Sequence, residues 1–271
     1  MCVAPPTLRD LIHIVKVSGG KDSAATLIRL AEEGIEPRYA VFNFVKGNMP
    51  EESKDHIREL VDVAGEELGI RPELVIIESE DFLKMMREKH KPFPTPKTLW
   101  CMYWLKIVPF RRWLNSLGIP EPRLCVDIGV KASDSWRRKR LYGRRLYRAR
   151  ELRTTFKGVG LDAGYYWVYL PILDMSDKEV VRLISRYPRI RGVVFRGYER
   201  LGNPSTCYVC PYHSRKLYMR MPRESLIKAL KILREIEGME HIGRFKLGLK
   251  FLERQRKLIL EALNEGLERF M

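Results

Sequence analysis

Apolar positions along the chain follow two alternating rhythms. From Leu11 to Val17 they alternate and then run together, as in a strand buried on both faces; from Asp22 to Glu33 they recur at helical spacing, and Gly34 closes the segment. The rhythm then repeats. RYAVFNFV (38–45) predicts a second strand, EESKDHIRELVDVAGEELG (51–69) an amphipathic helix ending at Gly69, and ELVIIES (73–79) a third strand. After the Pro-rich loop KPFPTPKT, the spacing predicts a helix from about Leu99 to Leu117, a strand in RLCVDIGVKA (123–132) and another in YYWVYLPIL. In SDKEVVRLISRY (176–187), Ser176 is placed to cap a helix and Glu179 to close a capping box. From about Glu224 the pattern is helical, with breaks near Gly238 and Gly243.

Alternating strands and helices predict an α/β fold: a parallel, Rossmann-like sheet covered by helices on both faces. Near residue 195 this rhythm gives way to a Cys-containing loop and a helical tail. The expected organisation is therefore an α/β domain over 1–195, followed by a Cys-x-x-Cys loop and helical region over 196–271.

With 271 residues and 45% hydrophobic content, the chain can bury one sizeable core with a small appendage. No apolar run reaches the ~20 residues a membrane span needs. The N-terminus carries no signal-peptide pattern, and the expectation is a cytoplasmic protein with no membrane partner. The 50 Lys and Arg outnumber the 34 Asp and Glu, leaving +16 and pointing to a polyanionic partner. A thermophile's charge-rich surface accounts for many charges but not for an excess of one sign. Five cysteines, Cys2, Cys101, Cys125, Cys207 and Cys210, are an odd number, so metal or sulfur chemistry is a better reading than a disulfide framework.

Three stretches carry candidate chemistry. SGGKDS, Ser18 to Ser23, joins the first strand to the first helix and sets backbone N–H groups at the positive end of a helix dipole, an anion cradle. Gly19 and Gly20 let a phosphate approach, and Ser18, Lys21 and Ser23 add donors. Neither the Walker A spacing nor G-x-G-x-x-G is present. In the basic stretch from Arg137 to Arg153, cations interleave with Tyr142 and Tyr147 just after Trp136; Arg137, Arg138, Lys139, Arg140, Arg144 and Arg145 are the candidate nucleic-acid contacts. Cys207-x-x-Cys210 offers two thiolates to one metal or cluster, with Cys101 or His213 available to complete the shell. Cys125, inside a strand, reads as core.

In its context SGGKDS resembles the PP-loop, SGGxDS, of the ATP pyrophosphatase superfamily. FNFVKGNMPEES, WCMYWLKIVPFRRWL, DIGVKASDSWRRKR, YLPILDMSDKEVVRLI and GNPSTCYVCP are similar, in the same order, to segments of the branch that contains the PAPS reductases, with Lys131 where that branch has Arg. The resemblance implies a HUP-type fold and an enzyme that binds ATP, with Mg²⁺, and adenylylates a substrate. It also implies nucleotide contacts at Ser18, Gly19, Gly20, Lys21, Asp22, Ser23, Gly129, Ser135 and Arg138. Catalytic roles would fall to Lys21, Asp22 and Cys101.

Several sulfur-inserting members hold a three-cysteine [4Fe–4S] cluster with one iron open, a role that would fall here to Cys101, Cys207 and Cys210; a structural zinc on Cys101, Cys207, Cys210 and His213, or buried thiols without metal, are the alternatives. The best expectation is ATP-dependent sulfur transfer to tRNA, fed by a sulfur donor, in a chain that can pair as a homodimer. Alternatives are reduction of a sulfonucleotide such as PAPS or adenylylsulfate, and adenylyl transfer of the flavin-nucleotide synthase type. Reduction by the usual nucleophile is disfavoured: no cysteine follows Cys210, and Trp100 breaks the paired-cysteine motif before Cys101.

Overall fold

The structure, a computed structural model, describes residues 7–152, 164–204 and 207–268; Cys2 and Arg153 lie outside them. The chain forms two compact units. One comprises residues 1–42, 56–76 and 114–195, the other 43–55, 77–113 and 196–271. The expected division at 195/196 is thus incomplete. Two earlier segments, 43–55 and 77–113, belong with the C-terminal region, an exchange between distant stretches that no local pattern announces.

Six strands make one sheet: β1 (Ile12–Lys16), β2 (Tyr39–Phe44), β3 (Glu73–Glu78), β4 (Leu124–Asp127), β5 (Leu146–Arg148) and β6 (Trp167–Tyr169), in the order β3-β2-β1-β4-β6-β5. β1 runs parallel to both β2 and β4, and β4 parallel to β6. The expectation of a parallel sheet needs one correction: β5 pairs antiparallel with β6 at the edge. It is three residues long and held inside the Arg-rich stretch, where solvated cations hide any strand alternation.

Successive residues of β1 (His13, Ile14, Val15) and all four of β4 are buried. Neighbours in a strand point to opposite faces, so the central strands are covered on both sides, as the apolar runs require. The chain builds from β1 to β2 and β3 on one side, then returns to β4 on the other. The β1/β4 boundary is therefore the topological switch point, where open α/β sheets present ligand sites beyond the carboxyl ends of their strands.

The helices are α1 (Lys21–Glu32), α2 (Glu52–Leu68), α3 (Phe82–Glu88), α4 (Trp100–Met102), α5 (Val108–Ser116), α6 (Trp136–Leu141), α7 (Asp177–Ser185), α8 (Pro188–Leu201), α9 (Arg215–Tyr218), α10 (Arg223–Glu237) and α11 (Lys246–Glu268). Ser176 caps α7, with Glu179 closing the capping box. The helix expected over 99–117 is interrupted by a π-helical segment, Tyr103–Ile107, between α4 and α5. In the second unit, α10 buries Leu226, Ala229, Ile232, Leu233 and Ile236 along one stripe, and packs with α11. Among the described residues no helix is long and apolar enough to cross a membrane.

Candidate nucleotide loop and cysteine centre

SGGKDS lies at the carboxyl end of β1. Gly19 takes φ +78°, a conformation that strains any residue with a Cβ, and Gly20 stays extended as the N-cap of α1. The loop closes on Ser23, whose hydroxyl donates to the Gly20 carbonyl (2.9 Å) and accepts from the Ser18 N–H (3.2 Å). From α2, the buried His56 donates its Nε2–H to the Gly19 carbonyl at 3.0 Å. Nothing in the helical context of His56 marks it in the sequence as loop-facing.

The loop after β4 meets this turn from the other side of the switch point. A Cβ on Gly129 would stand 2.8 Å from the Asp22 carbonyl oxygen and 2.9 Å from Thr26 Oγ1, so glycine is required there for packing alone. Two residues on, Lys131 has a side chain only 1% exposed. Its Nζ lies 2.7 Å from Asp22, 2.9 Å from Asp134 and 3.2 Å from Asp177, as charge contacts without hydrogen-bond alignment. Lys21 Nζ shares two of these acids, Asp22 at 3.1 Å and Asp177 at 2.9 Å.

Burial pushes the Lys21 pKa down, but the bonds to Asp177 and Asp22 outweigh it and raise the pKa overall. The hydrogen bond from Lys21 holds the Asp177 carboxyl below its usual range, against a smaller effect of burial. Two ammonium groups and three carboxylates thus alternate at a helix N-terminus, suited to phosphate and to a hard divalent cation. Ser135 and Arg138 join this group only through the next turn. Ser135 accepts from the Arg138 N–H as the N-cap of α6, and Arg138 ion-pairs with Asp134. Of this cluster the sequence reading had assigned no role to Lys131, Asp134 or Asp177. The visible signal was the lysine standing at the branch's arginine position.

Beneath the loop, His13, Cys125 and Asp127 have potential ligand atoms within 4.8 Å of one another. Nδ1 of His13 meets both Asp127 oxygens, at 2.9 and 3.1 Å, and Nε2 donates to the Leu8 carbonyl at 2.7 Å. With both nitrogens engaged no lone pair faces a metal, so this is a buried ion pair bridging β1 and β4. Burial lowers the imidazole pKa; the bond and charge of Asp127, with the Leu8 carbonyl, more than restore it and raise it overall. Burial drives the Cys125 thiol well up, consistent with its reading as core.

The candidate metal ligands lie in the second unit. Cys101 stands in α4 just before the π-helical segment, a feature frequent at functional sites. The Cys207–Cys210 loop is clamped by Asn48. Its Oδ1 accepts from the Val209 N–H (3.0 Å), its Nδ2 donates to the Val209 carbonyl (3.1 Å), and its own carbonyl accepts from the Tyr208 N–H (2.7 Å). Burial raises all three thiol pKa values, that of Cys101 to about 12 and that of Cys210 to about 11; the charges of Cys207 and Cys210 add to the rise at Cys101. The Lys106 cation, from the π-helical segment, opposes the rise at each. Three mutually interacting thiols beside one cation form a soft donor set that fits an iron–sulfur cluster or zinc. The His13 group is the one trio of such donors within 4.8 Å among the described residues, so the three cysteines are spread more widely than ~3.8 Å, the sulfur spacing that tetrahedral 2.3 Å bonds to a single zinc produce. His213, three residues beyond Cys210, is buried, and burial lowers its pKa to about 4.

The basic stretch forms α6, a turn and β5. Trp136 is 73% exposed, with the Arg140 guanidinium 4.9 Å from its ring centre. Arg137, Lys139 and Arg140 face solvent. The other candidates are engaged within the chain: Arg138 with Asp134, Arg144 with Glu151 (2.8 Å), and Arg145 with Asp174 (2.8 Å) and Glu33 (3.6 Å).

No protein-family model matches the chain, and no curated protein matches it significantly. The solved structures similar to the chain include the U34-tRNA thiolase NcsA from Methanococcus maripaludis with its [4Fe–4S] cluster, at 18% identity, 93% of this chain and 73% of that one covered, and a TM-score of 0.42. A likeness this loose does not assign a function.

Proposed function

We propose that this chain is a PP-loop enzyme that activates a base of tRNA with ATP and replaces its carbonyl oxygen by sulfur. The observation that carries the reading is the gathering of thiols from two distant stretches, Cys101 and the Cys207–Cys210 loop, into one interacting set, in a chain whose SGGKDS loop occupies the switch point of the sheet. In a sulfur-free adenylyltransferase that set would have only a structural role.

The base oxygen attacks the α-phosphorus of ATP, and pyrophosphate departs. The amides of Ser18 to Ser23 and the ammonium of Lys21 stabilise the charge that develops on it. Asp22, with Asp134 and Asp177, would hold Mg²⁺, and Lys131 keeps the three acids gathered at the loop. Gly129 permits this close approach, and Ser135 and Arg138 border the nucleotide. Cys101, Cys207 and Cys210 would hold a [4Fe–4S] cluster, which when bound would supply a binding site for sulfide from an external donor. Sulfide displaces AMP from the activated base. Arg137, Lys139 and Arg140 meet tRNA phosphates while Trp136 offers a stacking face.

Anaerobically purified protein is incubated with ATP, sulfide and tRNA, and the nucleosides are analysed by mass spectrometry. A thionucleoside formed only with ATP, and lost together with iron in Cys207→Ala, is the expected result. Full thiolation by an iron-free variant, or no pyrophosphate release from ATP, sinks the reading.

A further inference from the structure

His213 is 3% exposed, and among the described residues neither ring nitrogen has a hydrogen-bond partner. A buried imidazole with two orphaned nitrogens loses its water without replacement. Such a group calls for an absent partner, water or ion. Its position limits what that partner is. The His213 N–H donates to the Cys210 carbonyl at 3.0 Å, folding the Cys-x-x-Cys-x-x-His stretch back on itself. Its ring packs edge-on against Tyr218, with centroids 5.0 Å apart. The Tyr218 hydroxyl is already committed to Gln255. The imidazole is therefore held in the same folded-back stretch as Cys207 and Cys210, against a tyrosine whose hydroxyl is taken.

We infer that His213 supplies the fourth protein donor of the metal centre whose other donors are Cys101, Cys207 and Cys210. The inference rests on the reading of those cysteines as metal ligands, and it changes how the centre works. Imidazole is an established ligand for iron and zinc, yet it holds an iron–sulfur cluster less firmly than thiolate. The fourth position is closed by His213 at rest and is opened when sulfide takes its place, a ligand exchange that needs no oxidant or reductant. It guards the reactive iron from other ligands until the sulfur arrives.

The test uses the full chain, purified anaerobically and labelled with ¹⁵N-histidine, its centre reduced by one electron and read by pulsed electron paramagnetic resonance. The expected result is a nitrogen coupling that changes with the label, weakens when sulfide is added, and is absent from His213→Leu. That variant should keep about four irons per chain on its three thiolates. Iron without a label-sensitive coupling overturns the inference but leaves the cluster reading standing; a coupling untouched by sulfide overturns the exchange. The labelled wild-type chain decides the matter even if His213→Leu does not fold. Should the protein carry zinc, X-ray absorption showing three sulfurs and one nitrogen, turning to four sulfurs in His213→Cys, supports the fourth-ligand assignment and removes sulfur insertion at iron. A chain purified with neither metal overturns both.

Discussion

At the carboxyl ends of β1 and β4 the buried charge is answered from within: Lys131 faces Asp22, Asp134 and Asp177, and Lys21 faces two of the same acids. In the cysteine centre, by contrast, burial raises the pKa of three half-buried thiols against the Lys106 cation, and the buried imidazole of His213 has no hydrogen-bond partner among the described residues. The first arrangement is assembled by folding and is ready for a ligand that competes for charges already in place. The second leaves a buried imidazole without a hydrogen-bond partner among the described residues, and under the proposed function a metal would complete it. Damage to the first centre should therefore show in ATP chemistry and stability, and damage to the second in metal content.

The largest effect expected from breaking this contrast is Asp22→Ala, which should lower ATP–pyrophosphate exchange by roughly 100- to 1,000-fold with iron content unchanged. Undiminished exchange would move the nucleotide site elsewhere. Next is Lys131→Met. Removing one partner of a buried ion network costs about 3–5 kcal/mol; the part-exposed carboxylates reduce this to about 2 kcal/mol, read as a shift of the urea midpoint. A neutral outcome would mean the three acids do not need the ammonium to stay together.

Asn48→Ala removes two hydrogen bonds to Val209 and leaves those backbone groups unpaired, an expected loss of about 2 kcal/mol. Because the clamp holds the Cys207–Cys210 loop, metal content should fall while ATP binding, measured by calorimetry, stays. Loss of both together would dissolve the distinction between the centres.

The smallest effect concerns His13, a pair of the first kind. Its pKa in the folded chain is raised above the ordinary value of 6.5. Its contribution is therefore complete below about pH 6.5 and is lost as pH climbs through the raised value. Wild-type stability should fall more steeply above pH 6.5 than that of His13→Gln. Parallel pH profiles would show that the imidazole holds no extra proton in the native state.

Much of the first centre was legible in the chain because its parts are local. A glycine pair between a strand and a helix has few physical uses, and Ser18 to Ser23 are contiguous. Lys131 was legible only as a departure from the branch's arginine; its three acids come from separate loops, which periodicity does not connect. The cysteine spacing showed that Cys207 and Cys210 act together. That Asn48 clamps their loop was hidden, since an asparagine after a glycine reads equally well as a turn.

By itself, the sequence determined the strand and helix rhythm, the glycine turn between β1 and α1, the excess of positive charge and the pairing of Cys207 with Cys210 in one loop. All of these depend on residues close in the chain or on totals along it. Only the tertiary structure decided that residues 43–55 and 77–113 belong with the C-terminal region, that β5 runs antiparallel at the edge, that His13 and Asp127 pair off rather than bind metal, and that His213 is buried without a hydrogen-bond partner among the described residues. The reason is physical. Burial, charge pairing and the lack of a partner are properties of surroundings, and surroundings are assembled from residues far apart in sequence, where periodicity and spacing carry no information.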